Sequence, residues 1–380
     1  MTANTRSSET EEKTLISAKS FARTIVWLWL LSFVFISSCD RKGTDHNTHA
    51  HGHLYVLNQT SQTIYVYNDS DLTDREDSFG AAIPQPHWLE YAPDGQFYYV
   101  VSRISPGHIA KFDAATNALV DSITMVGNVF PTSLAITSDG QYGYLSDFTI
   151  NFTPGHIQKY NLNTMTFVDS SFGNGAASHD LMFTSDGSKL VACSRNTDDI
   201  TIVDVPGDSV LGIFPLDTNN VRPNPPVHWP YGVHIDHKDS LAYITCLKSG
   251  QVKVFDLYAR QVVDSIIIPY IGGGGGCTGV AGPTLSAISH DDSKIFVTTQ
   301  CGNSLVVART SDGQILVDIP FSTPLSFGVK FNHDGSRIFV ACANLPGQPG
   351  RVYVIDGNTL AKLDSVDVGL NSYGLFWHHH

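Results

Sequence analysis

Residues 332–342 read NHDGSRIFVAC, a short polar turn followed by a predominantly apolar strand. The sequence TSDGSKLVAC at residues 184–193 repeats the same turn and strand. Related turns recur at intervals of 43 to 53 residues, at Ala92–Gly95, Thr137–Gly140, Thr184–Gly187, Asp236–Asp239, Ser289–Asp292 and Asn332–Gly335. Aspartate–glycine turns between short apolar runs are typical of antiparallel hairpins, so each copy predicts two paired strands.

Each turn belongs to a larger repeat of four short strands. After NHDGSRIFVAC come a third predicted strand, VYVID at residues 352–356, and a fourth, KLDSVD at residues 362–367. Four short strands within about 40–50 residues are typical of one β-propeller blade. Six complete repeats are present, and they begin near Pro86, Pro131, Ser178, Pro230, Pro283 and Ser326.

The two ends of the chain supply one further blade between them. Residues 53–85 contain a second, a third and a fourth strand but no first strand, and residues 372–377 contain a first strand alone. Pairing the two segments closes the ring and removes an open sheet edge. The repeats therefore predict an all-β fold, a seven-bladed β-propeller with four-stranded antiparallel blades. The N- and C-terminal strands close this ring in one blade.

Several of the second strands resemble the Tyr-Val-Thr-Asn strand of the YVTN-repeat propeller family. They are Tyr55-Val-Leu-Asn58, Tyr144-Leu-Ser-Asp147 and Phe339-Val-Ala-Cys342. The resemblance covers residues 53–377 and implies the propeller fold without implying one activity. The same superfamily is similar to lactonase-type propellers and to the propeller domains of several redox enzymes.

Composition excludes some classes of function. The net charge is −13 and no run of lysine and arginine is present, so no nucleic-acid partner is expected. The sequence has no Gly-X-Ser-X-Gly elbow, no paired-carboxylate constellation and no cofactor fingerprint. No cofactor is required by the sequence.

The N-terminal segment predicts an anchored envelope protein. The apolar run of residues 25–36 is too short to span a membrane, which takes about 20 residues, but it suits a signal peptide. Ile36-Ser-Ser-Cys39 resembles a bacterial lipobox, which implies cleavage before Cys39 and a lipid anchor on that cysteine; an ordinary signal peptide is the alternative. We therefore predict a lipoprotein in the bacterial cell envelope, periplasmic or at the cell surface. Its segments are 1–38 signal peptide, 39–52 flexible tether, 53–377 propeller and 378–380 tail.

Candidate site residues lie on the first strands, which line the channel of a propeller. Because side chains alternate along a strand, every second residue is expected to face this channel. The column beginning with Glu90 mixes polar and bulky residues, and the residues near its start form the channel mouth. The ligand-binding candidates are His87, Trp88, Glu90, His179, His228, Trp229, Tyr231, His234, Lys330 and Tyr373.

Three functions are compatible with these residues. The first is a non-catalytic binding or scaffold protein that holds a protein or a small molecule at the channel-mouth face. The second is a lactonase-like hydrolase or lyase, with acid–base work from His87, His179, His234 and Glu90. The third is a metal-dependent redox protein with His87, His179 and His234 as candidate ligands, which resembles the histidine-lined mouth of the nitrous-oxide-reductase propeller. We expect the first and leave catalysis open.

Two cysteines lie in loops predicted on the mouth face. Cys277 follows the glycine run of residues 272–276, and Cys301 follows the second strand of its blade. Because the expected compartment is oxidising, we predict a disulfide between them. The second long insertion, residues 217–229, is expected on the same face.

Overall fold

The computed structural model describes residues 52–379 except 126, 128, 150–155, 174, 218, 220, 222 and 271–278. The described part of the unit Ala50–His380 is all-β and consists of seven four-stranded antiparallel sheets, the blades of a propeller. Its described residues contain no helix, and hence none that could cross a membrane. The predicted fold class is confirmed.

Each blade contributes one strand to each of four concentric positions. The first strands are β4 (Pro86–Tyr91), β8 (Pro131–Ile136), β12 (Ser178–Phe183), β16 (Pro230–Ile235), β20 (Pro283–Ile288), β24 (Ser326–Phe331) and β28 (Ser372–His379). The second strands are β1 (Gly52–Asn58), β5 (Phe97–Ser102), β9 (Tyr142–Asp147), β13 (Lys189–Ser194), β17 (Leu241–Cys246), β21 (Lys294–Thr299) and β25 (Arg337–Cys342). The third strands are β2 (Thr63–Asn68), β6 (His108–Asp113), β10 (His156–Asn161), β14 (Asp199–Asp204), β18 (Gln251–Asp256), β22 (Ser304–Arg309) and β26 (Pro349–Asp356). The fourth strands are β3 (Asp71–Gly80), β7 (Leu119–Thr124), β11 (Thr166–Gly173), β15 (Ser209–Pro215), β19 (Gln261–Ile267), β23 (Ile315–Pro320) and β27 (Lys362–Leu370).

The blades begin where the repeats predict. Blades 1 to 6 start with β4, β8, β12, β16, β20 and β24, whose first residues are the six predicted starting points. The closing blade pairs β28 with β1 in antiparallel register, with Val56 opposite Leu375 and Leu54 opposite Trp377. Strand β28 continues to His379, so the C-terminal histidines 378 and 379 extend the sheet beyond the predicted end at Trp377.

Apolar side chains fill the spaces between the blades. Between the closing blade and blade 1, the buried rings of Tyr55, Tyr91 and Tyr98 pack together, and the Tyr91 hydroxyl donates to the Tyr55 hydroxyl at 2.7 Å. Similar clusters of buried residues join the other blades. This packing of neighbouring sheets fixes the first strands around a common axis.

One end of the ring, here called the mouth, is where the first strands begin and the second strands end. The residue after each second strand donates its N–H to the residue just before a first strand, at 2.8 to 3.1 Å. The donors are Gln59, Arg103, Phe148, Arg195, Leu247, Gln300 and Ala343. All seven pairings of first and second strands also carry a register shift near this end. Such a bulge redirects the neighbouring side chains. Side chains near the start of each first strand therefore do not alternate strictly between the two faces of the sheet.

Candidate functional site

Five buried side chains meet across the channel at the mouth, and we call them the aromatic layer: His87, His179, Tyr231, Phe327 and Tyr373. His87 stacks on Tyr373 with ring centres 3.9 Å apart, and His179 stacks on Tyr231 at 3.6 Å. The hydroxyls of Tyr231 and Tyr373 are 2.7 Å apart. Tyr231 belongs to blade 4 and Tyr373 to the closing blade, which are not neighbours. Their contact shows that the layer spans the axis.

The two imidazoles of the layer have opposite hydrogen-bonding roles. Nδ1 of His179 lies 2.9 Å from the carbonyl oxygen of Tyr231, so this nitrogen donates and Nε2 keeps its lone pair. Nε2 faces the Tyr373 hydroxyl at 3.4 Å. In His87, Nδ1 accepts from the side-chain amide of Gln59, whose oxygen accepts from Asn371 at 2.9 Å. Nε2 of His87 is therefore a donor, and it has no partner among the described residues.

Burial keeps both imidazoles uncharged. It lowers the pKa of His87 and of His179 well below the usual value, and the Arg103 charge lowers both further. Both rings are therefore neutral at pH 7. Nε2 of His179 offers a lone pair, and Nε2 of His87 offers an N–H.

Three cations stand over two aromatic rings at the mouth, and we call this group the cation shelf: Arg103, Phe148, Arg195, Trp229 and Lys248. The guanidinium carbons of Arg103 and Arg195 lie 5.3 and 5.4 Å from the centre of the Phe148 ring. Arg195 also lies 4.2 Å from the Trp229 ring, with the Lys248 ammonium 5.0 Å away on the same indole. No ion pair links these cations to a described residue.

The two arginines are held close together and partly out of water. Burial lowers the pKa of Arg195, and the charge of Arg103 lowers it further. Nε of Arg195 is buried and has no partner within the described part of the chain. Guanidinium groups match carboxylate and phosphate oxygens, so the shelf is suited to an anion.

Asp198 fixes the loop that carries Trp229. Its carboxylate accepts the N–H groups of Val227, His228 and Trp229 at 2.5, 2.9 and 2.8 Å. His228 itself is buried beside this turn, and burial lowers its pKa. The loop therefore presents the Trp229 ring to Arg195 and Lys248 and keeps His228 buried.

Beyond the aromatic layer, the first strands enclose a cavity of about 300 Å³, the channel cavity. Its polar lining residues are Trp88, Glu90, Asp180, His234, Ser286 and Lys330. Nε1 of Trp88 donates to Glu90 at 3.3 Å. Asp180 accepts the N–H groups of Leu181 and Val233 at 2.9 and 3.0 Å.

Burial also shifts the titration of the channel groups. It raises the pKa of Glu90 to about 7, against the opposing effect of the Lys330 charge. It raises the pKa of Asp180 to about 6 and lowers that of His234 to about 3. The cavity thus contains two carboxyl groups, one ammonium and one neutral imidazole.

The structure divides the ten predicted ligand-binding residues into three groups. His87, His179, Tyr231 and Tyr373 form most of the aromatic layer, and Trp88, Glu90, His234 and Lys330 line the channel cavity. His228 and Trp229 belong to the Asp198 turn. Of the three metal candidates, His87 and His179 lie in the aromatic layer with ring centres 6.0 Å apart, whereas His234 lies in the channel cavity. Within the described ranges no group of three or more His, Cys, Asp or Glu side chains is placed to hold a metal ion.

Sequence reasoning missed Arg103 and Arg195. Both occupy the position directly after a second strand, and this position recurs in every blade. Aligning the repeats at that position shows that only these two blades carry a charged residue there. That break in the repeat is the signal that identifies them.

A comparison of the sequence with protein families gives one match. The family described as Lactonase, 7-bladed beta-propeller, matches residues 48–367. The chain belongs to this family. A search of curated proteins finds no significant match to this lactonase-family propeller.

Solved structures share the fold at low sequence identity. The Pseudomonas aeruginosa periplasmic gluconolactonase PpgL is 17% identical with a TM-score of 0.67, and the match covers 86% of this chain and 99% of that one. A Bacteroides uniformis protein named provisionally as a 6-phosphogluconolactonase is 15% identical, with the same TM-score and coverage. The dihydro-heme d1 dehydrogenase NirN is 14% identical with a TM-score of 0.58, covering 90% of this chain and 77% of that one. At these identities the likeness shows the fold alone.

Family membership corrects one prediction. The expected function, a non-catalytic binding or scaffold protein, is wrong because the matching family is a lactonase family. The second prediction, a lactonase-like hydrolase, agrees better with this finding. Composition and repeats misled here because they describe the propeller scaffold, which is common to binding proteins and enzymes.

The structure describes one of the two cysteines in the predicted disulfide. Cys301 is buried and disulfide-bonded, whereas Cys277 lies outside the described residues, so their pairing stays a prediction. The predicted lipidation site, Cys39, also lies outside the described residues.

Proposed function

We propose that this lactonase-family propeller hydrolyses a sugar lactone at the mouth. The observation that carries the proposal is the pair of guanidiniums, Arg103 and Arg195, which form no ion pair within the described ranges and lie next to two neutral imidazoles. The family match supports lactone hydrolysis, and the names of two structural neighbours, a gluconolactonase and a provisional 6-phosphogluconolactonase, support a sugar lactone.

The charge change of the reaction favours the mouth over the channel cavity. A lactone is neutral at its carbonyl, but the tetrahedral intermediate and the carboxylate product are anionic there. The attraction between these arginines and the carbonyl oxygen strengthens as that charge develops, and an interaction that is stronger in the transition state lowers the barrier. In the cavity, Glu90 and Asp180 face one ammonium, Lys330, and repel an anion.

The layer supplies the remaining groups. His179 accepts a proton from water at Nε2, while its Nδ1–H stays bonded to the Tyr231 carbonyl. The water oxygen forms a bond to the carbonyl carbon, and the oxyanion receives hydrogen bonds from the arginines and from Nε2–H of His87. The ring C–O bond then breaks, and His179 returns the proton to the leaving oxygen, which yields the hydroxy acid.

Access to His179 requires a small change in the layer. The Tyr373 hydroxyl faces Nε2 at 3.4 Å, longer than the usual O–H hydrogen-bond distance of about 2.5–3.0 Å. A water molecule therefore competes with a weak contact. When the hydrogen of the Tyr373 hydroxyl points to the Tyr231 oxygen, 2.7 Å away, the lone pair on Nε2 of His179 is left to accept from water.

We also propose a location from the N-terminal sequence. Cleavage before Cys39 and lipidation of that residue anchor the propeller in the bacterial envelope, in the periplasm or at the cell surface. Palmitate labelling of wild type and of Cys39→Ala tests the anchor: label retained by the variant contradicts it.

Proton release during hydrolysis of glucono-δ-lactone and its 6-phosphate tests the activity. We expect turnover well above the spontaneous rate, with a loss of about 100-fold or more in His179→Gln, because general-base catalysis contributes about 10²–10⁴-fold. His333→Gln, at a turn on the other face of the ring, is the matched control and retains the wild-type rate. Folded wild-type protein that accelerates neither lactone contradicts the proposal.

A further inference from the structure

The proposed hydrolysis assigns no task to the channel cavity. The cavity follows the aromatic layer along the first strands, and its polar residues Trp88, Glu90 and Lys330 do not belong to that layer. Its volume of about 300 Å³ equals the lower end of the usual range for small-molecule sites, roughly 300–1,000 Å³. A single six-membered ring with its substituents is a ligand of suitable size.

The charged residues in this cavity do not recur at the equivalent positions of the other blades. One column of first-strand residues is aliphatic except for Ser286: Leu89, Leu134, Leu181, Val233, Ser286, Val329 and Leu375. The adjacent column reads Glu90, Ala135, Met182, His234, Ala287, Lys330 and Phe376, with one acid, one lysine and one histidine. Packing of the blades does not require charged residues here, because transfer of a charge out of water costs free energy unless the charge is paired.

The charged groups of this column have few partners within the protein. The Lys330 ammonium lies 5.6 and 5.8 Å from the ring centres of Trp88 and Phe376, and it makes no hydrogen bond or ion pair with a described residue. Glu90 accepts one hydrogen bond, from Trp88 at 3.3 Å. The buried Ser286 hydroxyl likewise has no partner in the described part of the chain. Asp180 differs, since two backbone N–H groups already satisfy it.

We propose that the channel cavity binds a small neutral polyhydroxylated molecule, such as a free sugar, at a site separate from the hydrolytic mouth. One hydroxyl accepts from Lys330 and another donates to Glu90, while the apolar face of the sugar ring lies on the Trp88 indole. A neutral ligand fits because Lys330 repels a cation, and Glu90 with Asp180 repels an anion. The site does not depend on the proposed hydrolysis.

Saturation-transfer NMR and calorimetry with D-glucose and D-glucitol as probes test this site. We expect wild-type protein to bind at least one of them, and Glu90→Gln and Lys330→Met each to weaken binding at least tenfold. Arg195→Met, at the mouth, is the control and keeps wild-type affinity. Both cavity substitutions conserve side-chain size, and a thermal unfolding curve of each variant shows that the fold is intact.

The pH dependence of binding distinguishes a Glu90 carboxylate that contacts the ligand from one that only supports the structure. Burial raises the pKa of Glu90 to about 7, and a donated hydroxyl favours its ionised form. Affinity is therefore expected to fall about tenfold from pH 8 to pH 6, and Glu90→Gln is expected to remove this dependence. The proposal is overturned if neither probe binds, if gluconate binds more tightly than glucose to protein that carries Arg103→Met/Arg195→Met, or if the cavity variants bind like wild type.

Discussion

The mouth and the channel cavity follow one another along the same axis, yet their charged side chains favour ligands of different charge. At the mouth, the guanidiniums of Arg103 and Arg195 form no ion pair with any residue that the structure describes, and they stand beside neutral imidazoles. In the cavity, Glu90 and Asp180 face one ammonium, Lys330. An anion is therefore stabilised in the first region and repelled in the second. This difference is the reason why we place the proposed lactone hydrolysis, which creates a carboxylate, at the mouth.

Both regions are built from the same seven strands, and the bulge separates them. In blade 1 the register shifts between Pro86 and Trp88, which aims His87 toward the axis within the aromatic layer. After the bulge, pairing is regular from Trp88 to Tyr91, and alternation places Trp88 and Glu90 on the cavity side. A single first strand thus contributes side chains both to the aromatic layer and to the channel cavity.

The largest effect is expected from removing both guanidiniums. In Arg103→Met/Arg195→Met, kcat/KM for the lactone should fall at least about 1,000-fold, because one lost oxyanion donor alone costs about 10²–10³. Sugar binding in the channel cavity should be unchanged. Steady-state kinetics and calorimetry on the same preparation measure both quantities.

Arg260→Met is the matched control for this double variant. Its guanidinium also stands over a phenylalanine, 6.0 Å from the Phe214 ring, but outside the mouth. It should keep wild-type kinetics. A double variant that is folded and loses less than tenfold would remove the arginines from the mechanism.

A second difference between the regions appears in their pH profiles. Because burial lowers the pKa of His179 well below 6.5, the general base stays neutral as the pH falls. After subtraction of the spontaneous rate, kcat/KM should change less than about twofold from pH 8 to pH 5.5, whereas a base with a pKa of about 6.5 would lose about tenfold. A midpoint near pH 6.5 in the measured profile contradicts a buried base.

A smaller effect is expected on stability. Tyr231→Phe removes the 2.7 Å contact between the Tyr231 and Tyr373 hydroxyls. The free energy of unfolding should fall by about 1 kcal/mol, the usual net contribution of one buried hydrogen bond. Tyr258→Phe, at an exposed tyrosine, should leave it unchanged. Equal stability of both variants in denaturant titrations would show that the layer is not held by this bond.

The sequence predicts the scaffold well, for a physical reason. A blade must repeat its turns and its buried columns, so Pro86, Pro131 and the other starting points are visible as a period, and the split blade follows from counting. The cavity side of Glu90 and Lys330 also follows from alternation along a strand.

The site itself was predicted in part only. The bulge, which redirects His87, leaves no mark in the alternation of residues. Arg103 and Arg195 lie two blades apart, 92 positions along the sequence, and only the closed ring brings them to one phenylalanine. The tautomers of His87 and His179 depend on Gln59 and on the Tyr231 carbonyl, which are distant in the sequence.

The most direct test of the assignment of chemistry to the mouth is kcat/KM for lactone hydrolysis in Glu90→Gln. Glu90 is the cavity residue best suited to act as a base, since burial raises its pKa to about 7. Hydrolysis at the mouth predicts that the variant stays within about twofold of wild type while it loses sugar binding in the cavity. A loss comparable to that of a general base, about 100-fold or more, would move the active site into the channel and contradict the account.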